Sequence, residues 1–374
     1  MPNTLNIVEI ISSKQMAFKS LLEPLEINGI ILPNRVVFPA FQTNFATTDG
    51  IITEKLLRFY GKISAGGSGL VIAGAMAVSD EGAPNTNVIK INDDKKIPGL
   101  KELFSVIKEN GSVAAAQLMH AGRQTLSAFT GHPIVAPSAI PCPVMKEMPV
   151  ELDIVRIKKI QEDFVKAAVR AKKAGAQCIE LHGAFGYLIG GFLSPYSNKR
   201  NDEYGRDKTL FFTEIIENIK KRIGNIPVSC RISGDEFIES GLTLKETREF
   251  TPKLVEAGAD IISVAAGTYS SMHRMATKME LGEGVHVYLA TAIRDVVDVP
   301  VICSDNIRNL HYANNIISKQ KADLLAICRP QVADHYFIKK SLNNQFYNKC
   351  KDCGNCLYFL KGENFVSCPQ NSEL

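Results

Sequence analysis

Along this chain, amphipathic helical stretches ending in glycine or a turn alternate with short runs of β-branched and other apolar residues. The unit recurs as KISAGGSGLVIAGA (62–75), VIKENGSVAAAQL (106–118), AKKAGAQCIELH (171–182), KKRIGNIPVSCRI (220–232), LVEAGADIISVA (254–265), RDVVDVPVICS (294–304) and SKQKADLLAIC (318–328). An opening run at RVVFPA (35–40) brings the strands to eight. A strand apolar at every position is what a parallel strand buried on both faces requires, and the glycine or turn before it stops the helix. Eight strands alternating with helices in one series predict an α/β fold, a (β/α)8 TIM barrel. A doubly wound sheet is the alternative, but no strand–GxGxxG–helix unit seeds one.

The predicted division is an extension over residues 1–15, with Met16 as an alternative start, a barrel over 16–340, and a cysteine-rich tail over 341–374. With 374 residues and 45% hydrophobic content, the chain can bury one large core. Its formal net charge of +4 is spread without a basic block, so no nucleic-acid or membrane partner is expected. No apolar run reaches the length of a membrane span, and MPNTLNIVEIISSKQ has only a short apolar patch where a signal peptide needs a long one. A reducing, cytoplasmic location is expected.

The tail carries Cys350, Cys353, Cys356 and Cys368, spaced C-x2-C-x2-C-x11-C with Pro369 after the fourth. Four thiolates suit a [4Fe–4S] cluster or a structural zinc, since both take S4 ligation. Structural zinc usually takes two separated C-x2-C knuckles, so the spacing favours the cluster. A disulfide-stapled tail fits less well, because Cys142, Cys178, Cys230, Cys303 and Cys328 are scattered, mostly inside apolar runs.

A barrel places its chemistry at the C-terminal ends of the strands. There the chain offers Pro39 to Thr43, then Gln117 to His120, then His182 to Tyr187, and Arg231. A glutamine, two histidines, a tyrosine and an arginine on one rim can hydrogen-bond a planar heterocycle and a carbonyl substrate, and deliver a proton. Each has a plainer reading. Tyr187 alone would be a core aromatic, His120 a structural hydrogen-bonder as readily as a ligand contact, and Arg123 the partner of a carboxylate. Lys199 and Arg200 are expected to tie a loop to the barrel, and His132, His273, His311 and His335 to face solvent.

The segments NGIILPNRVVFPAFQTNFA, GLVIAGAMAVSDEG, QLMHAGRQ, ELHGAFGYLIGGFLSPYSNKRNDEYG and SCRISGDEF, with the cysteine tail, resemble the Old Yellow Enzyme group of FMN-dependent reductases over about residues 17–374. The resemblance is to its iron–sulfur branch, which includes 2,4-dienoyl-CoA reductase, 2-enoate reductase and trimethylamine dehydrogenase. It implies that Pro39, Ala40, Phe41, Gln42 and Ala75 lie against the isoalloxazine ring. Gln117 would bond its pyrimidine edge, and Arg231 would stand by N1 and the C2 carbonyl, stabilising anionic reduced flavin. Asn306 and Arg329 are implied at the phosphate. His182 would bond the substrate carbonyl and Tyr187 would protonate the α-carbon as hydride reaches the β-carbon from flavin N5. The expected activity is reduction of an activated C=C bond in an enoate, enone or enoyl thioester. Electrons would be relayed through the cluster, from NAD(P)H or from a ferredoxin or flavoprotein partner; longer relatives continue into flavin- and nicotinamide-binding domains, whereas this chain stops at Leu374.

Three positions depart from that pattern. Phe185 stands where the branch usually has a second carbonyl-binding His or Asn, which favours an aryl or hydrophobic substrate. Asp305 and Cys328 stand where glycines usually present backbone to the phosphate, so a negative charge and two side chains are expected to weaken FMN binding there. Gln42 replaces the cysteine that bonds flavin covalently in amine dehydrogenases of the branch, and so speaks against amine or C–N oxidation. A flavin-poor scaffold or electron-transfer subunit is the reading from another class.

Overall fold

The computed structural model describes residues 16–374; the expected 1–15 extension lies outside the described residues. The barrel strands are β1 (Val36–Phe38), β2 (Leu70–Ala77), β3 (Val113–Met119), β4 (Cys178–Gly183), β5 (Val228–Ser233), β6 (Ile261–Ala265), β7 (Val301–Ser304) and β8 (Leu324–Ala326). All neighbours are parallel, and β1 closes the ring by pairing with β8 through Leu325↔Val36 and with β2 through Val37↔Leu70. Each predicted strand run holds one of them, and the main helices between them are α1 (Glu54–Ala65), α2 (Ile97–Glu109), α3 (Ile154–Lys173), α4 (Leu210–Ile223), α5 (Leu244–Glu256), α6 (Val287–Arg294) and α7 (Leu310–Ser318). Helix starts follow the local chemistry: Thr53 accepts from Leu56 N, Asp153 from Arg156 N, and Thr243 with Glu246 forms a capping box.

Alternation of strand side chains divides the core in two. One set, including Val37, Ile72, Ala115, Cys178, Ile261 and Ile302, fills the barrel interior, and the hairpin Leu25–Ile27/Ile30–Leu32 adds Ile27 and Leu32 to it. The other packs strands against helices. Cys178, Cys230 and Cys303 are buried in β4, β5 and β7, as their apolar settings predict.

The segment after residue 341 folds back onto the barrel. Val366 N donates to Thr43 O at 3.0 Å, Asn44 to Asn364 O, and Asn371 Nδ2 to Val332 O at 2.8 Å. Phe365 meets Phe45, and Lys55 lies over both rings. His335, expected to face solvent, is buried and bonded to Asn371 at 3.1 Å. The returning tail covers it, which helix position alone does not disclose. No helix among the described residues is long and apolar enough to cross a membrane.

Candidate active site

Strand register assembles a polar layer at the mouth of the barrel. Gln117 on β3 is in register with Glu180 on β4, which is in register with Ser229 on β5. Gln117 Nε2 donates to one Glu180 oxygen at 2.7 Å, and Ser229 Oγ donates to the other at 3.0 Å. Arg231 stands beside His182 in register and donates to Ser263 Oγ at 3.3 Å and Ser304 Oγ at 3.1 Å. Burial pushes the Glu180 carboxyl up, against the Arg231 charge and the hydrogen bonds from Gln117 and Ser229. Burial also lowers Arg231, yet a guanidinium stays protonated at any working pH. Because Glu180 takes the Gln117 amide nitrogen, the amide oxygen is the group left to accept from a ligand edge.

His182 Nδ1 accepts from Ala184 N at 3.4 Å, which leaves Nε2 to carry the proton. Burial first, and the Arg231 charge second, hold its pKa well below the usual 6.5, so the ring is a neutral donor. Burial lowers His335 too. Both rings must charge on unfolding, so the stability they contribute is complete above about pH 6.5 and is lost as pH falls below it, where the unfolded chain binds protons the native chain refuses. Chemical unfolding at about pH 7.5 and about pH 5.5 is therefore expected to show a smaller acid loss for His182→Asn than for the parent; equal losses would contradict it.

Tyr187 lies 4.8 Å from His182, ring to ring, and its hydroxyl is 3.0 Å from that of Tyr269. It packs with Ala75, Met119 and Ala121. Burial raises its pKa, opposed by the Tyr269 hydrogen bond, so the phenol keeps its proton at neutral pH. Phe185 takes a left-handed φ of 62°, pinned by Ser233 Oγ at its N–H and Gln124 Nε2 at its carbonyl. Its ring is 5.6 Å from that of His182, and the Arg231 guanidinium is 5.4 Å from its centroid. Asparagine tolerates this φ better than phenylalanine and adds a donor. Phe185→Asn is thus expected to tighten a phenolate or carbonyl ligand about tenfold, measured by titration, without loss of stability; unchanged binding would place Phe185 away from the carbonyl subsite.

A cavity of about 280 Å³ opens beside this layer. Pro39, Ala40, Phe41, Arg231 and Arg329 line it, with Ala265, Ala266 and Ala326 as a small-residue floor. An alanine floor with a guanidinium at one edge fits a flat heterocycle such as a flavin. Gln117, His182 and Tyr187 lie at neighbouring strand ends, while Gln42 is half-buried outside the lining. Asn306 is buried and accepts from Arg308 Nε at 2.6 Å and Arg329 Nη2 at 2.9 Å.

The Asp305 carboxylate belongs to the cavity lining, with Arg329 and Cys328, and accepts from His286 N at 2.5 Å and Asn306 N at 2.6 Å. One expectation is corrected here. Arg123 has no carboxylate hydrogen-bond partner; it donates to the carbonyls of Ile140 and Pro141, 3.2 and 3.4 Å away, and faces Tyr196. His120 is structural, with Nδ1 accepting from Gly122 N at 3.1 Å and Nε2 3.8 Å from Glu81. Arg200 ties its loop down as expected, donating to Pro137 O and Leu152 O at 2.8 and 2.6 Å.

Cys350, Cys353, Cys356 and Cys368 are all among the residues that line the cavity, as is Cys328 just after β8. Four thiols are the kind of donor set a cluster takes. As they stand, no three or more His, Cys, Asp or Glu side chains among the described residues are grouped to hold an ion. Sequence reasoning passed over Glu180, Tyr269, Arg308 and Asp352; only Glu180 lay in a quoted motif, ELHG.

A closed parallel barrel thus carries an amide–carboxylate–guanidinium layer and an alanine-floored cavity at its mouth. The chain belongs to the NADH:flavin oxidoreductase / NADH oxidase family, whose profile matches residues 20–347. It is 39% identical to an NADH oxidase of Thermoanaerobacter brockii over 91% of this chain and 53% of that protein. It is 33% identical to a metal reductase of Desulforamulus reducens over 94% of this chain and 53% of that protein. The chain thus spans about half the length of the curated relatives it matches. A 2-naphthoyl-CoA reductase in complex with 2-naphthoyl-CoA shares the fold at a TM-score of 0.90 and 24% identity, over 95% of this chain and 57% of that one. Old Yellow Enzyme homologues share the barrel too, in keeping with the resemblance drawn from the sequence.

Proposed function

We propose that the protein is an FMN-dependent reductase of an activated C=C bond, and that Cys350, Cys353, Cys356 and Cys368 hold a [4Fe–4S] cluster that passes electrons to the flavin. One observation supports this reading: a neutral histidine and a protonated tyrosine lie 4.8 Å apart at the barrel mouth, next to Arg231 and Phe185, which line the alanine-floored cavity. A bound flavin supplies hydride, and the cluster supplies single electrons. His182 donates to the carbonyl oxygen and draws charge out of the double bond. Tyr187 gives its hydroxyl proton to the α-carbon, and Tyr269, 3.0 Å away, holds the phenol in place. Arg231 sets a fixed positive charge where anionic flavin needs one, and Gln117 offers its oxygen to the ring edge. Pro39, Ala40, Phe41 and Ala75 shape the space for the ring, and Phe185 supplies an apolar wall that suits an aryl enone or aryl thioester.

NADH is the proposed donor, in keeping with the NADH oxidase relative, with a ferredoxin or flavoprotein as the alternative route through the tail. A reducing cytoplasm is part of the same proposal. Anaerobic stopped-flow mixing tests it: protein reduced by NADH is expected to be reoxidised by an aryl enone or enoyl thioester with formation of the saturated product, whereas amines leave oxidised flavin unchanged. Reduction by amines, with reduced flavin indifferent to every conjugated alkene tried, would favour C–N oxidation instead.

A further inference from the structure

Between Cys350 and Cys353, Asp352 reaches out of the tail and bridges two arginines of the barrel. One of its oxygens accepts from Arg308 and, at 3.3 Å, from Arg329; the other accepts from Met279 N at 3.1 Å. Asn306 orients both guanidiniums through Oδ1 and is itself fixed by donating to Gly282 O at 3.0 Å. Arg308, Asp352 and Arg329 are 10%, 15% and 21% exposed, so the group is largely withdrawn from water. It borders the flavin-sized cavity, whose wall includes Arg329 and Asp352.

Two converging guanidiniums make a receptor for a tetrahedral oxyanion, and Asn306 serves to aim them. Here the receptor is filled by the chain's own carboxylate. Asp352 adopts a φ of 53°, a left-handed conformation that glycine, asparagine and aspartate tolerate better than other residues. An oxygen already shared by both arginines leaves no place for a phosphate oxygen beside it, and its charge repels one.

We propose that Arg308 and Arg329, positioned by Asn306, form an anion site with two mutually exclusive occupants, the Asp352 carboxylate and the phosphate of a flavin mononucleotide. Asp352 thereby sets how strongly the protein prefers FMN over phosphate-free riboflavin. When phosphate enters, Asp352 leaves the arginines and the Cys350–Cys353 turn moves with it, so flavin loading and the seating of the cysteine turn are linked. This inference rests on the flavin reading.

The test compares FMN and riboflavin binding by fluorescence quenching in the full chain after flavin release, for the parent, Asp352→Asn and Asp352→Gly. Both replacements are comfortable at positive φ, so they remove the charge without straining the turn. The parent is expected to prefer FMN only weakly. Both variants are expected to gain about tenfold in FMN affinity with riboflavin unchanged within about twofold. An FMN-to-riboflavin ratio equal in all three proteins overturns the proposal. If no protein binds either flavin, the flavin reading fails by itself, and inorganic phosphate decides the anion site: a larger thermal upshift with phosphate in Asp352→Asn than in the parent upholds it, and equal shifts overturn it.

Discussion

Tyr187→Phe is expected to slow turnover about 10²- to 10⁴-fold while NADH reduces the bound flavin as fast as before. In the proposed mechanism the phenol delivers the proton, a role that suits a hydroxyl that is buried, held protonated and set beside the neutral His182 ring. Phenylalanine keeps the packing against Ala75, Met119 and Ala121 and removes only the hydroxyl. Tyr269 loses a partner in that variant but keeps its place in the loop. The effect should therefore fall on the oxidative half-reaction alone, which single-turnover kinetics separates from the reductive one. Unchanged turnover would remove Tyr187 from the mechanism, and a loss shared equally by both half-reactions would mark it as structural.

Arg231→Met is expected to destabilise the barrel by about 1–3 kcal/mol, because it removes a buried positive charge near the Glu180 carboxyl and leaves Ser263 Oγ and Ser304 Oγ without their donor. The carboxylate is wholly inside, with Gln117 and Ser229 as its remaining donors. Adding Glu180→Gln to the same chain removes the buried acid that the guanidinium charge offset, and should restore part of the loss if the two groups are coupled. Denaturant unfolding of the two single variants and the double one measures the coupling. Strictly additive losses would show that Glu180 and Arg231 do not act as a unit. Flavin affinity is expected to stay low in the double variant, because the positive charge at the ring edge remains absent.

The barrel was legible because its strands are apolar on both faces and its helices end in turn chemistry, signals local to each segment. Gln117, His182 and Arg231 were legible because they sit where an apolar run turns polar. Glu180 was not read as part of the site, although it lies between two of them in sequence and space: an acid inside CIELHG has meaning only once β3 and β5 flank β4 in register. Tyr269 lies on a loop without a pattern, and no local rule places its hydroxyl against Tyr187. Asp305 shows the reverse difficulty. Its position after β7 suggested a charge near a phosphate, but not that the His286 and Asn306 N–H groups would hold the carboxylate. The acid that does reach the arginines is Asp352, 44 residues from Arg308, in a turn where only the cysteine spacing drew notice.

The central claim is that one chain holds both a flavin at the barrel mouth and an iron–sulfur cluster on its four tail cysteines. Anaerobic purification followed by an absorbance spectrum, with iron, sulfide, zinc and released-flavin analysis, tests it most directly. The predicted result is flavin absorbance over a broad cluster shoulder, with about one FMN and about four irons per chain. Protein that carries zinc or no metal, and that neither contains nor takes up a flavin, would contradict it.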